Sequence, residues 1–209
     1  VYDLRILEYL SQKENIFILG GVPYMYEHGV YIADLSGASL KTAIRKLIYP
    51  ELIRSTTIDR VFRLFLSDRD LQITSEELNS YPKHWINLRN GFYDPIARKM
   101  VPHDPKYRAI NQIPHEFYPD AQLSGEETEK WLRFIAPEPD DREMLLQFCG
   151  YCLTRDTRQQ KFLIIRGEGG SGKSTVIRML DIMVGAQNIS NVSLKELSQR
   201  FASYGLMGK

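Results

Sequence analysis

Residues 161–175 read Lys161-Phe162-Leu163-Ile164-Ile165-Arg166-Gly167-Glu168-Gly169-Gly170-Ser171-Gly172-Lys173-Ser174-Thr175. The first six are a short apolar run suited to a buried strand. The last nine contain Gly, four residues, then Gly-Lys-Ser, the pattern of a phosphate-binding P-loop. Average residue usage yields such a match in roughly one per cent of chains this long. The motif gains weight only when a strand precedes it and a helix follows. The helix is predicted over residues 175–183, where Val176, Ile177, Leu180 and Met183 recur at helical spacing and Gly185 supplies the stop.

Phosphate chemistry accounts for these residue types. Glycines at 167, 169, 170 and 172 let the backbone turn tightly, so that successive N–H groups point into one concavity. The following helix adds its unpaired first-turn donors and partial positive charge. With ATP as the ligand, Lys173 is expected at the β and γ phosphates, where it serves catalysis. The Ser174 hydroxyl is expected in the Mg²⁺ shell, with Thr175 assisting at an adjacent phosphate. Gly167, Glu168, Gly169, Gly170, Ser171 and Gly172 complete the candidate cofactor-binding set.

Working back from the loop, Asp140 and Glu143 can open a helix in which Met144, Leu145, Phe148, Tyr151, Cys152 and Leu153 recur at helical spacing. Ser124 and Glu127 have capping-box spacing for an earlier helix, with Trp131, Leu132, Phe134 and Ile135 as its apolar face and Pro137 and Pro139 ending it. Before that the texture is short strands and turns. Trp85, Asn87 and Arg89 alternate with Ile86 and Leu88, and Asn90-Gly91 is a strong turn dipeptide. Residues 99–101 can return as the paired strand of a β-hairpin.

The first eighty residues read as helix, hairpins, then helices. Leu4, Leu7 and Leu10, with Ile6, fall at helical spacing; the apolar run 16–19 ends at Gly20-Gly21, a turn signal. Residues 24–26 and 30–33 flank His28-Gly29 as a second tight hairpin, with Gly29 able to take positive φ. Ser39 can cap a helix whose stripe is Leu40, Ala43, Ile44, Leu47 and Ile48. Thr57 can start another, with Ile58, Val61, Phe62 and Phe65 inside. Thr74 and Glu77 have capping-box spacing for a short third. A winged-helix-like module presenting Arg60 and Arg63 to DNA fits this pattern, as does a purely structural helical domain, since no recognition signature is present.

Composition is ordinary for a globular protein: 209 residues, 43% hydrophobic and 25% charged. No apolar run approaches the ~20 residues of a membrane span. No signal peptide is visible, and two cysteines suit a reducing compartment. A cytoplasmic protein is expected. The net charge of +1 offers no global case for nucleic-acid binding. Charge is uneven, however: six basic residues against two acids over 83–108, nine acids against three bases over 116–143, and six bases against two acids over 155–178. Runs of this size are usually solvated faces. Cys149-Gly150-Tyr151-Cys152 has redox-motif spacing, but it sits late in a predicted helix, where the dipole acts in the wrong sense to lower a thiol pKa. The four histidines show no ligand spacing.

Several words of the sequence lie in a telling order. They are residues 85–91 (Trp-Ile-Asn-Leu-Arg-Asn-Gly), 103–105 (His-Asp-Pro), 111–114 (Asn-Gln-Ile-Pro), 118–121 (Tyr-Pro-Asp-Ala) and 150–157 (Gly-Tyr-Cys-Leu-Thr-Arg-Asp-Thr). Gln160-Lys161-Phe162, the loop, Val192-Ser193-Leu194 and Leu206-Met207-Gly208-Lys209 follow. Together they resemble the phage and plasmid primase-helicases, relatives of the poxvirus primase-helicase, over about residues 85–209. The resemblance implies a superfamily 3 helicase of a mobile element: an AAA+-like, usually hexameric ring that hydrolyses ATP to move along single-stranded DNA during replication. A primase domain or another replication protein is an implied partner, and a membrane is not.

On this basis the expected organisation is an α+β region followed by the start of an α/β P-loop NTPase domain. Residues 1–80 form a helical module with small hairpins, 81–155 a pre-helicase domain, and 156–209 the N-terminal part of the ATPase. The family's Walker B acids, sensor asparagine and arginine finger are expected downstream of Lys209. An incomplete ATPase domain with little turnover of its own, active only within an intact parent, is therefore anticipated. Two other functions fit the residues: a non-enzymatic module that binds DNA or a partner, and a different P-loop phosphotransferase.

Overall fold

The computed structural model describes residues 2–13, 15–120, 125–193 and 195. They divide into two units, one made of Val1–Ser80 with Asp104–Ile110, the other of Tyr81–His103 with Asn111–Lys209. Segments 81–155 and 156–209 thus contribute to the same unit.

The first unit runs α1 (Tyr2–Lys13), β1 (Ile16–Leu19), β2 (Val22–Glu27), β3 (Val30–Ala33), α2 (Ala38–Leu47) and α3 (Ser55–Ser67). Its strands make an antiparallel meander in the order β1-β2-β3. Leu19 pairs with Val22 and Glu27 with Val30, so each connection is two residues long. Both residues of each turn take positive φ: Gly20 57° and Gly21 79°, His28 47° and Gly29 92°. That is the twist a short hairpin requires. Helical spacing then fixes the core. Leu10, Leu40, Ile44, Val61 and Phe65 are at most 2% exposed, joined by Ile6, Leu7 and Ile48. Leu4 lies round the helix from this face and is 53% exposed.

The helix starts differ from the expected ones. Ser39 lies inside α2, which is entered through Gly37 at φ 71°. Asp34 takes the capping role, its carboxylate accepting the Leu40 N–H at 2.8 Å, while Ser36 Oγ accepts from Ala38 N at 3.2 Å. Thr57 is likewise interior, because α3 begins at Ser55 after Arg54. The Thr74–Glu77 capping box forms, with Glu77 Oε2 accepting the Thr74 N–H at 2.8 Å, but it closes only the single turn Ser75–Glu77.

The returning stretch Asp104–Ile110 is tied to this unit through its backbone. Asn79 N donates to Arg108 O at 3.0 Å, Ser80 N to Tyr107 O at 2.8 Å, and Tyr31 N to Ala109 O at 2.6 Å. Arg108 also pairs with Glu77.

The second unit begins with a three-stranded antiparallel sheet, β4 (Ile86–Leu88), β5 (Gly91–Asp94) and β6 (Lys99–Val101). Residues 99–101 pair with β5 rather than with β4. Leu88 faces Gly91, so Arg89 and Asn90 form the turn and Gly91 opens a strand. Phe92, 1% exposed, centres this sheet's core against Tyr81, Trp85 and His103. Three helices follow: α4 (Glu126–Ile135), α5 (Pro139–Cys152) and α6 (Lys173–Val184). The expected cap Ser124 lies outside the described residues, and Gly125 precedes α4. Leu132, Leu145, Cys149 and Val176 form the buried centre of the three helices. Phe134 and Met144, expected on apolar faces, are instead 74% and 53% exposed.

Among the described residues, no helix is long and apolar enough to cross a membrane.

Candidate nucleotide-binding site

Residues 161–166 lead into the loop with an alternation of exposure that settles their orientation. Leu163 and Ile165 pack on the helical core, while Phe162 and Ile164 are 79% and 76% exposed. A buried strand was expected. Among the described residues no neighbouring strand pairs with this segment, so only the inward half of the alternation is covered. A period of two is the pattern of an extended run, in which successive side chains point to opposite sides.

The loop then closes on itself. Ser171 N donates to Glu168 O at 3.3 Å. Gly170 (φ 79°) and Gly172 (φ 85°) adopt the left-handed conformation that glycine takes without strain. α6 begins at Lys173, and its first bonds run from Thr175 N and Val176 N to Gly172 O at 3.0 and 3.1 Å. The preceding first-turn N–H groups have no carbonyl above them in a helix. The Lys173 ammonium folds back over the loop, donating to Gly167 O at 2.7 Å, Glu168 O at 2.6 Å and Ser171 Oγ at 3.1 Å. A cation therefore sits at the mouth of a backbone turn beside a helix N-terminus, and Ser174 and Thr175 lie exposed on the first turn.

At two glycines an added Cβ would crowd a neighbouring side chain. A Cβ on Gly167 would lie 2.7 Å from Ser171 Oγ, and one on Gly172 would lie 2.9 Å from Ile135 Cγ2. The second contact shows what holds the loop in place. α4 presses Ile135 against the glycine that opens α6, while Val176, 5% exposed, anchors the first turn from below. All nine expected loop residues are thus gathered at one helix start. Sequence spacing pointed to them but not to α4, whose Ile135 and Trp131 lie some forty residues upstream in a segment with no motif of its own.

The remaining candidates fall elsewhere. Cys149 is buried and Cys152 half-buried near the end of α5, and burial pushes both thiols up, opposite to a reactive pair. No group of three or more metal-binding side chains occurs among the described residues. Arg60, still largely exposed, donates to both carboxylate oxygens of Asp3, and Arg63 is exposed. His103 is held against the β4–β6 sheet. Its Nε2 donates to Asn87 Oδ1 at 3.0 Å and Leu88 O at 2.9 Å. The words Val192-Ser193-Leu194 and Leu206-Met207-Gly208-Lys209 lie wholly or partly outside the described residues.

A search of curated proteins finds no match to the chain. A family model described as D5 N terminal like matches residues 6–137, more than half of the chain. The match takes in the first unit from Ile6 onward, the sheet of the second and helix α4, and the chain therefore belongs to the D5 N terminal like family.

Proposed function

We propose that the chain is part of an ATP-dependent replicative DNA helicase of a phage, plasmid or other mobile element. D5 N terminal like domains occur in phage and plasmid primase-helicases, which supports a role in DNA replication. The observation that carries the nucleotide half of the proposal is the loop's geometry. Lys173 Nζ lies within 2.7 Å of two carbonyls of a glycine turn that runs straight into an α-helix.

The donor set fits a magnesium nucleotide. Left-handed glycines in a tight turn, an ammonium group and exposed first-turn hydroxyls match a polyanion with a bound cation. Lys173 would leave its carbonyl partners for the β and γ phosphates, Ser174 would take one Mg²⁺ position, and the backbone of residues 167–172 would surround the phosphates. When bound, the metal neutralises charge on the phosphate oxygens. Glu168, the loop's one acid, meets Lys173 through its carbonyl. Turnover by these residues alone is accordingly proposed to be slow, with the ring-shaped assembly on single-stranded DNA providing the working enzyme.

The test is MgATP binding followed by thermal unfolding. At a hundred times its Kd, ATP should stabilise the chain by about 2.7 kcal/mol. Lys173→Ala should abolish that gain while leaving the ligand-free transition in place. Equal stabilisation of both chains would refute the assignment. In the intact protein, stimulation of ATPase activity by single-stranded DNA separates a helicase from a phosphotransferase.

One observation favours a second role for the first 137 residues. The family match ends well before the loop, so this part has an identity of its own, consistent with binding DNA or a replication partner. DNA binding that survives deletion of residues 156–209 would support it.

A further inference from the structure

A groove of about 460 Å³ lies between α4 and α6, lined by Thr128 and Trp131 on one side and Thr175, Arg178, Met179 and Ile182 on the other. Thr175 is at once the last residue of the P-loop and the first of this groove. We propose that the groove is the nucleobase half of the same site, with Trp131 as the surface on which the base stacks. This rests on the loop binding phosphate. It adds which surface of the chain receives the base of that nucleotide.

Position is the first support. Each residue advances an α-helix by ~1.5 Å, so Met179 lies ~6 Å and Ile182 ~10 Å along α6 from Thr175. Phosphates held at the helix start by the loop would direct the sugar and base along this face, because Thr175 borders both spaces. Chemistry is the second. Trp131 and Met179 pack at the edge of the helical core without being fully covered, so an aromatic face and a polarisable thioether line a slot open to solvent. Such surfaces take up a planar base irrespective of its sequence identity. The Thr128 hydroxyl and the exposed Arg178 guanidinium at the rim supply hydrogen bonds to ribose or the base edge. The third support is mechanical. Trp131 and Ile135 are one turn apart on α4, and Ile135 already touches Gly172. A base seated on Trp131 would therefore press on the helix that positions the loop.

The test compares ATP with inorganic tripolyphosphate, each with Mg²⁺, on the 209-residue chain. The sequence has two tryptophans, so Trp85→Phe leaves Trp131 as the sole reporter without altering the groove. ATP should quench its fluorescence, whereas tripolyphosphate should bind without quenching. By calorimetry, Trp131→Leu should weaken ATP about tenfold, equivalent to ~1.4 kcal/mol, and leave tripolyphosphate within twofold. The proposal is overturned if both ligands quench Trp131 equally, if ATP binds no tighter than tripolyphosphate, or if Trp131→Leu weakens both alike, since the groove would then only support the loop or be covered by protein. Should neither ligand bind the unaltered chain, the phosphate assignment itself falls and takes this one with it.

Discussion

Arg155 sits over the ring of Tyr81, its guanidinium carbon 4.0 Å from the ring centroid and its Nη2 donating to the Tyr81 carbonyl at 2.9 Å. The Arg155 N–H donates to Lys83 O at 3.1 Å. One residue thus clamps the chain just ahead of the P-loop segment to the entrance of the β4–β6 sheet, using a planar cation on an aromatic face, a side-chain hydrogen bond and a backbone hydrogen bond. Arg155→Ala should cost about 2 kcal/mol. Arg155→Lys should recover less than half of that, because an ammonium cannot both stack and fork. Urea unfolding of the three chains checks the order; equal stability of the wild type and the Ala variant would contradict the clamp.

Gly91 opens β5 at φ 140°, and a Cβ there would sit 2.8 Å from the Val101 carbonyl oxygen. Backbone cannot swing aside as a side chain can, so Gly91→Ala is expected to lose about 2–3 kcal/mol. Gly20 also has positive φ, 57°, but open space around it, and Gly20→Ala should cost only about 1 kcal/mol. Equal unfolding midpoints for these two variants would show that the close approach to Val101 carries no weight.

His103 packs edge-on against Phe92, ring centroids 5.4 Å apart. Burial holds its pKa below the usual 6.5, with the Leu88 carbonyl pulling the other way. The fold therefore favours the neutral ring. Its contribution is complete above pH 6.5 and is lost as pH falls through the depressed folded value. Urea midpoints should decline between pH 7 and 5 in the wild type, and His103→Gln should flatten that slope. An unchanged slope in the variant would assign the acid sensitivity to other groups.

Much of the first unit was legible because its devices are local. Two-residue hairpins at Gly20-Gly21 and His28-Gly29, and the stripes through Leu40, Ile44, Val61 and Phe65, depend only on near neighbours in sequence. Ser39 and Thr57 misled because a cap is chosen by where the chain enters the helix. Asp34 reached Leu40 across a turn that spacing alone does not reveal. In the second unit the strand expected at 161–166 depends on pairing partners from elsewhere, which no local signal can supply. The loop could be read as a motif, but Ile135 could not, because its role exists only once α4 packs on α6.

Cys149, 4% exposed, behaves as a small core side chain beside Val176 and Leu145. Thiol labelling at pH 7 should proceed slowly at Cys149, at a rate set by opening of the fold rather than by the reagent. Cys149→Ser should destabilise by about 1–3 kcal/mol by burying a hydroxyl among apolar groups. Rapid labelling of both cysteines in the native chain would instead revive a redox role.

The strip Asp104–Ile110 gives the first unit an unusual perimeter. The polypeptide crosses out after Ser80, back in at Asp104 and out again after Ile110, so that unit is not severable at one peptide bond. An excised 1–80 piece would leave Tyr31, Asn79 and Ser80 with raw amide donors and Glu77 facing water in place of Arg108. A faithful isolated version has to carry the strip along, spliced on through a short artificial bridge. A protease nick in the 81–103 excursion would, by the same token, release neither part.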